Sequence, residues 1–516
     1  KWNGHVCNSP ENNNYCDGLH SLLSERLRKR KEENIEKEIE HQGKPLNGEY
    51  LPPCFWGINI FGKENLKIIH DNPADKNLDL IEEELPKNSL FSWPFAVSFS
   101  RSTDEQKIDG AYPKNLENVR IPKFQLQVKE NQSIGFIYCK FSNPLTEEDQ
   151  EYLVVGCGLI TEKGNYNYFG PQEIIDKKRN SRTKYKNFPS MNWALRYSFQ
   201  EPDMLVRMPY HEYISYVESS DISEDDKQKY LDRIKVAISE PELNHCFKYV
   251  AMDVDDDEAI FILTKMRKQL IDCKDDGIVP PKEMQSKISV VEDLLHFCWN
   301  KRTYFPGFAS ISREILNWDK PDLVLDGFVN LLKERELDDY ADKFKELLVN
   351  PYSDKDYKEF ANFLFDLKEK LEDLYDLNND KLIKLSMLNL KPFQFKRILS
   401  GKIKLSGDWR KTIDEEKASH SRFQICENPY LLYECYEVVD SPTDPVLGEE
   451  VDAEIDLFKI DIAYFPDTRF GVERLAIQRE MRITDKRRLR AVVLRYLNTL
   501  ENTGHCFVSA KELEDE

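Results

Sequence analysis

Hydrophobic and polar positions change their spacing along the chain. From 47 to 215, short runs of β-branched and aromatic residues, such as FQLQV, IGFIYCKF and YLVVGCGLI, alternate with turn-forming segments, which is typical of strands. From 216 onward, apolar residues recur at the spacing of amphipathic helices. The pattern therefore predicts an α+β fold, with a strand-rich N-terminal part followed by mainly helical domains. The predicted regions are a Cys- and His-bearing segment with a charged helix at 1–46, a strand-rich α/β accessory domain at 47–215, an acidic helical domain at 216–375 and a helix-hairpin-helix-like module at 376–516.

The strongest helical pattern lies near the end of the chain, in DKRRLRAVVLRYLNTL. Thr484 is predicted to cap this helix, because its hydroxyl can accept a hydrogen bond from a free N–H group of the first turn. The apolar side is predicted to face the protein, and it consists of Leu489, Val492, Val493, Tyr496, Leu497 and Leu500. The opposite, basic side is predicted to face solvent, and it consists of Lys486, Arg487, Arg490 and Arg495.

Two further segments predict helix starts. In NPYLL, Asn428 can cap and Pro429 suits the first helical position, so Leu431 and Leu432 are predicted to be buried. The acidic run DVDDDEA at 253–259 lacks the glycine and the ligand spacing of a calcium loop. It is predicted to be a solvated helix start.

Composition limits the classes of protein. The chain has 516 residues, of which 40% are apolar and 32% are charged, with a formal net charge of −20. These values indicate a globular protein and argue against one that coats nucleic acid over its whole surface. The 11 cysteines are scattered, which favours a reducing, cytoplasmic compartment. No apolar run approaches the ~18 residues of a membrane span, so no membrane partner is expected.

A helical hairpin is predicted upstream of the last helix. The segment LIKLSMLNLKPFQFKRIL predicts a helix, a tight turn at Asn389–Pro392 and a second helix. The exposed backbone amides of such a turn can hold a phosphate. This is the physical basis of DNA binding by helix-hairpin-helix motifs.

The last quarter of the chain resembles the RecD-like DNA helicases. In that family a DPY-L element, a hairpin turn, an RI-A helix and a GHT-LP---L element precede the motor. Here ENPYLLYE at Glu427–Glu434, the turn and helix from Phe465 to Ala476, the helix at 485–500 and GHCFVSAKEL follow in the same order. The resemblance covers about 380–516.

The resemblance implies that this chain is the accessory and DNA-guiding region of an ATP-dependent bacterial DNA helicase. A winged-helix connection and two ATPase lobes would then follow Glu516, and they would bind ATP and Mg²⁺. The chain itself contains no GxxxxGK[ST] phosphate loop. Phage defence and DNA repair are the candidate roles.

The expected partner is single-stranded or forked DNA, bound mostly through its phosphates. The family's second hairpin turn is glycine-rich, whereas this one contains Pro466, Asp467 and Thr468, so a side-chain contact from Arg469 would replace amide contacts. The candidate DNA-binding residues are Lys396, Arg397, Arg469, Lys486, Arg487 and Arg490.

The N-terminal part of the chain contains candidate metal ligands. Cys7, Cys16, His20 and Cys54 could supply four ligands to a zinc or iron ion. Their spacing lacks a tight C-x₂-C knuckle, and cysteines also serve as small buried hydrophobic residues. Ordinary packing is therefore the alternative.

Two other classes of function stay open from the sequence. The acidic surface could dock a protein partner, in which case the helicase-like helices would be architectural and the chain would be a scaffold without direct DNA binding. HDNP at His70–Pro73 could belong to a nuclease.

Overall fold

The computed structural model describes residues 129–139, 145, 151–168, 191–199, 204–239, 255–317, 323–334, 337–401, 403, 415–436, 454–502, 509 and 511, together with short strands between 58 and 97. Its internal contacts divide the chain into two units, Lys1–Leu295 with Asp444–Gly448 and His296–Thr443 with Glu449–Glu516. The predicted α+β fold is confirmed, because an antiparallel sheet comes first and a mainly helical body follows. The boundaries of the four sequence regions stay a prediction.

The first unit contains the strands. They are β1 (Ile58–Asn59), β2 (Leu66–His70), β3 (Ile81–Leu85), β4 (Ser89–Phe91), β5 (Phe95–Val97), β6 (Ile134–Cys139), β7 (Glu151–Tyr168), β8 (Met191–Phe199), β9 (Leu205–Arg207) and β10 (Ala237–Ser239). The long β7 pairs antiparallel with β6, β9 and β10 along its first half and with β8 along its second half. The strand β8 also pairs with β4 and β5, β4 pairs with β1, and β2 and β3 form a separate antiparallel pair.

The first half of β7 is the centre of this unit. Leu153, Val154 and Cys157 are completely buried, which explains why the strand is apolar at successive positions rather than at alternate ones. The helices α1 (Tyr210–Ser219) and α2 (Glu224–Ile234) lie between β9 and β10 in the chain, and α3 (Asp256–Asp272) follows β10. The hydroxyl of Tyr210 donates to the Val154 carbonyl at 2.7 Å, and Cys157 Sγ lies 3.8 Å from Met266 Sδ of α3.

The acidic run before α3 is a helix start, as predicted, but it is not solvated. Asp255 caps the helix by accepting from the Glu258 amide at 2.9 Å, and Glu258 accepts from the Asp255 amide at 2.8 Å. Asp257 is completely buried and Glu258 is 3% exposed. In this reciprocal cap the Glu258 carboxylate has a backbone N–H group as its hydrogen-bond partner, which compensates part of the cost of its burial.

The second unit is built from helices. The helix α4 comprises Pro281–Arg302. It is followed by α5 (Phe308–Leu316), α6 (Leu323–Lys333), α7 (Leu337–Val349), α8 (Ala361–Tyr375), α9 (Asn379–Ser386), α10 (Pro392–Leu399), α11 (Glu415–Glu427), α12 (Leu431–Cys435), α13 (Leu457–Tyr464), α14 (Ala476–Arg479) and α15 (Lys486–Asn502). Among the helices described here, none combines the length and the apolar character that a membrane crossing requires.

Aromatic side chains from α5, the segment just before it, α6 and α7 form a cluster in the core of the second unit. The ring of Phe344 lies 4.3 Å from that of Phe305 and 4.8 Å from that of Phe308. Phe328 of α6 lies 5.7 Å from Phe308. Offset and edge-on pairs at these distances are favourable, so the cluster fixes how these helices pack.

Two glycines allow close approaches around the α9–α10 hairpin. The amide of Gly307 donates to the Ser386 carbonyl at 2.9 Å, and a Cβ at Gly307 would overlap the carbonyl oxygen of Leu388 in the hairpin turn. Gly401, after α10, has φ of +66° and lies so close to α11 that a Cβ would be 2.5 Å from Ala418 Cα. The hairpin is therefore held on both sides by backbone contacts that only glycine permits.

Candidate nucleic-acid interface

The helix α15 is rotated relative to its prediction. The helix buries the face around Arg488 and Ala491, of which Ala491 is completely buried. Leu489 and Leu497, expected in the core, are 45% and 39% exposed. Arg495, expected in solvent, is buried enough that desolvation lowers its pKa. The predicted assignment of faces is therefore wrong for these residues.

Inward arginines explain the rotation of α15. Arg488 makes a two-pronged ion pair with Asp461 of α13, with its closest contact from Nη2 to Oδ2 at 2.7 Å, and Tyr430 also donates to Asp461 at 2.7 Å. The guanidinium of Arg488 lies 5.5 Å from the ring centroid of Phe465, and that of Arg474 lies 4.8 Å from the same centroid. Arginine stems pack on apolar surface and planar guanidinium groups stack on rings, so these side chains replace leucines as core contacts.

The start of α15 is fixed by an aspartate. Asp485, rather than the predicted Thr484, caps the helix, because its Oδ1 accepts from the Arg487 amide at 2.9 Å and its carbonyl accepts from the Leu489 amide at 2.9 Å. The guanidinium of Arg487 returns to the Asp485 carboxylate at 2.8 Å and donates to the Glu427 carbonyl. Arg487 is thus partly covered rather than free in solvent.

The Asp485 carboxylate carries a testable stability contribution. Hydrogen bonds from the Arg487 side chain lower the pKa of Asp485 to about 2, against 3.8 for a free aspartate. A lowered pKa stabilises the folded chain above about pH 4, and the contribution disappears as the pH falls towards 2. After allowance for solvent screening, Asp485→Asn should lower the free energy of unfolding by about 1 kcal/mol at pH 7. Urea unfolding at pH 7 and pH 3 measures this.

The matched control for that prediction is Asp467→Asn. Asp467 makes the same kind of pair with Arg469, at 2.6 Å, but the Arg469 side chain is 59% exposed, so the control should lose less than about 0.5 kcal/mol. The gap between Asp485→Asn and the parent chain should narrow at pH 3. An equal loss in both variants, or a gap that does not change with pH, would contradict the assignment.

The other predicted DNA-binding arginines also have partners. Arg469 is held by Asp467, which neutralises the charge of the second hairpin turn. Arg397 lies over the rings of Phe393 and Tyr436, at 5.7 Å and 5.5 Å from their centroids. Such contacts make these arginines packing residues as well as candidate DNA contacts.

Arg490 differs from them because it lies at the surface over a buried acid. Its side chain is 70% exposed, and its Nε lies 3.1 Å from Oε2 of Glu434, whose side chain is 3% exposed. The prediction that Arg490 faces solvent is confirmed.

The remaining cations are exposed. Within the part of the chain that the structure describes, the side chains of Lys396, Arg479, Arg482 and Lys486 make no hydrogen bond, ion pair or ring contact. Arg479, Arg482 and Lys486 lie within eight residues, at the end of α14 and the start of α15, and are here named the basic corner. Arg479 and Arg482 were not among the sequence candidates. Arg479 is the last residue of α14, and Arg482 lies in the segment between α14 and α15.

The basic corner has a fixed frame. Arg474 donates to the carbonyls of Gln478 and Met481, the latter at 2.7 Å, and holds the turn closed. The buried Gln478 donates to the Ala463 carbonyl at 2.6 Å and accepts from the Leu475 amide at 2.7 Å. The corner is therefore positioned by hydrogen bonds to its backbone, while its own cations stay outside.

The turn of the first hairpin does not offer its amides in the way predicted. The two helices and the tight turn between them are confirmed as α9 and α10. However, the amides of Leu388 and Leu390 donate to carbonyls within the turn, and the Lys391 amide donates to Gln394 Oε1 at 2.9 Å. Leu388 and Leu390 are also buried, so the exposed cations of this hairpin are the side chains of Lys391 in the turn and Lys396 in α10.

The NPYLL segment leads into α12, as predicted, but its cap differs. The helix begins at Leu431, and Leu432 is completely buried, while Leu431 is only partly covered. The side-chain oxygen of Asn428 accepts no hydrogen bond from the described residues, so it does not cap the helix. The fully buried ring of Tyr430 anchors this turn instead.

Several candidates lie outside the described residues. These are the metal candidates Cys7, Cys16, His20 and Cys54, and the segment that follows His70 in the nuclease hypothesis. His70 itself is the last residue of β2. A search of the described residues alone finds no group of His, Cys, Asp and Glu side chains that could hold a metal ion.

Comparison with known proteins gives no match. No protein-family model, no curated protein and no solved structure matches this chain.

Proposed function

We propose that the helical part of this chain guides single-stranded or forked DNA in an ATP-dependent helicase of the RecD-like class. The observation that carries the proposal is the basic corner, where exposed cations without an acidic partner gather in a chain of net charge −20. In this proposal, ATP and Mg²⁺ are bound by the motor of the helicase and not by the region described. The proposed setting is the bacterial cytoplasm, in phage defence or DNA repair.

The position of the corner supports binding of an anion. The first turn of α15 contains Lys486 and no acidic residue. A cation at the N-terminus of a helix opposes the helix dipole, and the Asp485 carboxylate at the cap of α15 offsets part of this cost in the free protein. An approaching phosphate would interact favourably with the cations of the basic corner.

The proposal predicts weak, sequence-independent binding that depends steeply on salt. Three cations that each neutralise one phosphate give a slope of log K against log salt of about −2 for a single strand. Affinity should then fall about 15- to 20-fold between 50 mM and 200 mM salt. Fluorescence anisotropy of a labelled single strand and a labelled fork measures this, with an unlabelled strand of different sequence as competitor.

A second candidate function is an acidic scaffold that docks a protein partner. It is favoured by the outward leucines of α15, Leu489 and Leu497, and by Ile483, which is 60% exposed. Contiguous exposed apolar patches mark protein interaction sites. Absence of DNA binding at 50 mM salt would favour the scaffold over the DNA-guiding region.

A further inference from the structure

Glu434 in α12 is an unusual buried acid. Its side chain is 3% exposed, and neither carboxylate oxygen accepts a hydrogen bond from the described residues. Burying a charged carboxylate without hydrogen bonds is unfavourable, because the water that solvated it has not been replaced. Such a group needs either a counter-ion or a proton.

The counter-ion is Arg490 of α15. Its Nε lies 3.1 Å from Glu434 Oε2, in a geometry that is an ion pair but not a hydrogen bond. Among the described residues, the charged or titratable groups near this end of α12 include Arg490 and Tyr433, the carboxylates of Asp456 and Glu454 that act on Tyr433, the thiol of Cys435, and Arg397, which lies 5.5 Å from the ring centroid of Tyr436. The two partners differ in solvent exposure, since the Arg490 side chain is mostly exposed while that of Glu434 is buried.

This geometry makes Glu434 and a phosphate compete for one guanidinium. We propose that Glu434 is a proton-linked competitor of DNA: its carboxylate holds Arg490 at neutral pH, and a proton taken from solvent by Glu434 frees Arg490 to bind a phosphate beside the basic corner. The inference rests on the proposed function, because the phosphate is that of the guided DNA. Removal of Arg490 from an ionised Glu434 would leave a buried, uncompensated charge, which is strongly unfavourable.

The direction of the pH dependence follows from the same contacts. Burial raises the pKa of the Glu434 carboxyl, and the charge of Arg490 opposes this effect. When Arg490 moves to a phosphate the opposition is lost, so the pKa of Glu434 rises further. DNA binding is then coupled to proton uptake, and affinity rises as the pH falls.

The test is anisotropy with a labelled single-stranded oligonucleotide from pH 8 to pH 5.5, on the parent chain, Glu434→Gln, Arg490→Gln and the double variant. Glu434→Gln should bind about five- to tenfold tighter than the parent at pH 8 and should lose the pH dependence that the parent shows. Its salt slope should steepen by about 0.7, because one more phosphate is neutralised. The double variant should behave like Arg490→Gln.

The matched control is Glu480→Gln, which removes an exposed acid next to the basic corner. It changes the net charge by the same amount, so it should alter affinity equally at every pH and keep the pH dependence of the parent. Equal affinity and salt slope for Glu434→Gln and the parent would overturn the inference while leaving the proposed function intact. No binding by the parent at any pH would instead overturn the proposed function and this inference with it.

A thermal melt keeps the result interpretable. Glutamine is nearly isosteric with glutamate and carries no charge to bury, so Glu434→Gln should melt no lower than the parent. If Glu434→Gln does melt lower, the pH dependence of DNA affinity is compared between the parent and Arg490→Gln instead. A pH dependence that is the same with and without Arg490 would overturn the inference.

Discussion

Replacing Gly307 with alanine is expected to destabilise the helical unit by about 3 kcal/mol or more, which corresponds to about 6–12 °C in Tm. The new Cβ would overlap the carbonyl oxygen of Leu388 and would lie 2.9 Å from the Phe395 ring. The backbone cannot easily move away, because the Gly307 amide donates to the Ser386 carbonyl at 2.9 Å. Thermal unfolding followed by circular dichroism measures the loss.

Gly327→Ala is the matched control for this prediction. Gly327 lies inside α6, where a Cβ would meet the Phe360 ring at 3.4 Å, an ordinary contact distance. Alanine is the better helix former, so this variant should gain up to about 1 kcal/mol. A Gly307→Ala variant that melts with the parent would mean that the α9–α10 turn does not pack on α5 as described.

Replacing Arg422 with methionine is expected to cost about 3 kcal/mol. Arg422 is 1% exposed, and it donates from Nε to the Tyr375 carbonyl at 3.0 Å and from Nη1 to the Leu399 carbonyl at 2.6 Å. These carbonyls end α8 and α10, where no further helical N–H is available to them. Methionine fills part of the volume but leaves both carbonyls without their donor.

Two control variants separate the effect of the positive charge of Arg422 from the effect of its hydrogen-bond geometry. Arg422→Lys keeps the charge, but a single ammonium cannot reach both carbonyls, so about half of the loss should remain. Arg482→Met makes the same substitution at an exposed position, and its free energy of unfolding, measured by urea titration, should stay within about 0.5 kcal/mol of the parent. Full stability of Arg422→Lys would contradict the view that Arg422 bridges two helix ends.

The fold class could be predicted because its signals are local. The apolar run around Val154 and Cys157 marks a strand buried on both faces, and the turn at Asn389–Pro392 marks a helical hairpin. These features need only propensity and spacing. Gly307 has no such signal, since its need for glycine comes from a turn some 80 residues further along the chain.

The orientation of α15 could not be predicted from periodicity alone. Apolar spacing places Leu489 inside, but Arg488 finds a carboxylate on Asp461 and a ring on Phe465, both in an earlier segment of the chain. A paired and stacked arginine packs as well as a leucine, so the face with more specific partners is the buried one. The exposed Leu497 is the consequence.

The candidate DNA-binding residues were predicted only in part, because the sequence pattern does not show which cations have partners. Lys396 and Lys486 are exposed cations, as expected, whereas Arg487 is bound by Asp485 two residues away. That pairing was visible in the sequence, because a side chain at a helix start can fold back onto its cap. Arg479 and Arg482 were missed because α14 has four residues, too few to show a helical pattern, and Arg482 lies in the segment after it.

The basic corner is expected to bind the DNA backbone, and comparison of two triple variants can establish whether it does. The corner variant Arg479→Gln, Arg482→Gln, Lys486→Gln is set against a control variant, Lys355→Gln, Lys358→Gln, Lys370→Gln, which changes the net charge equally at exposed positions around the start and middle of α8. Anisotropy with a labelled single strand at 50 mM and 200 mM salt should show the corner variant at least tenfold weaker than the parent, with a salt slope shallower by about 2, and the control variant close to the parent. Equal weakening of both variants, or parental binding by the corner variant, would contradict the claim.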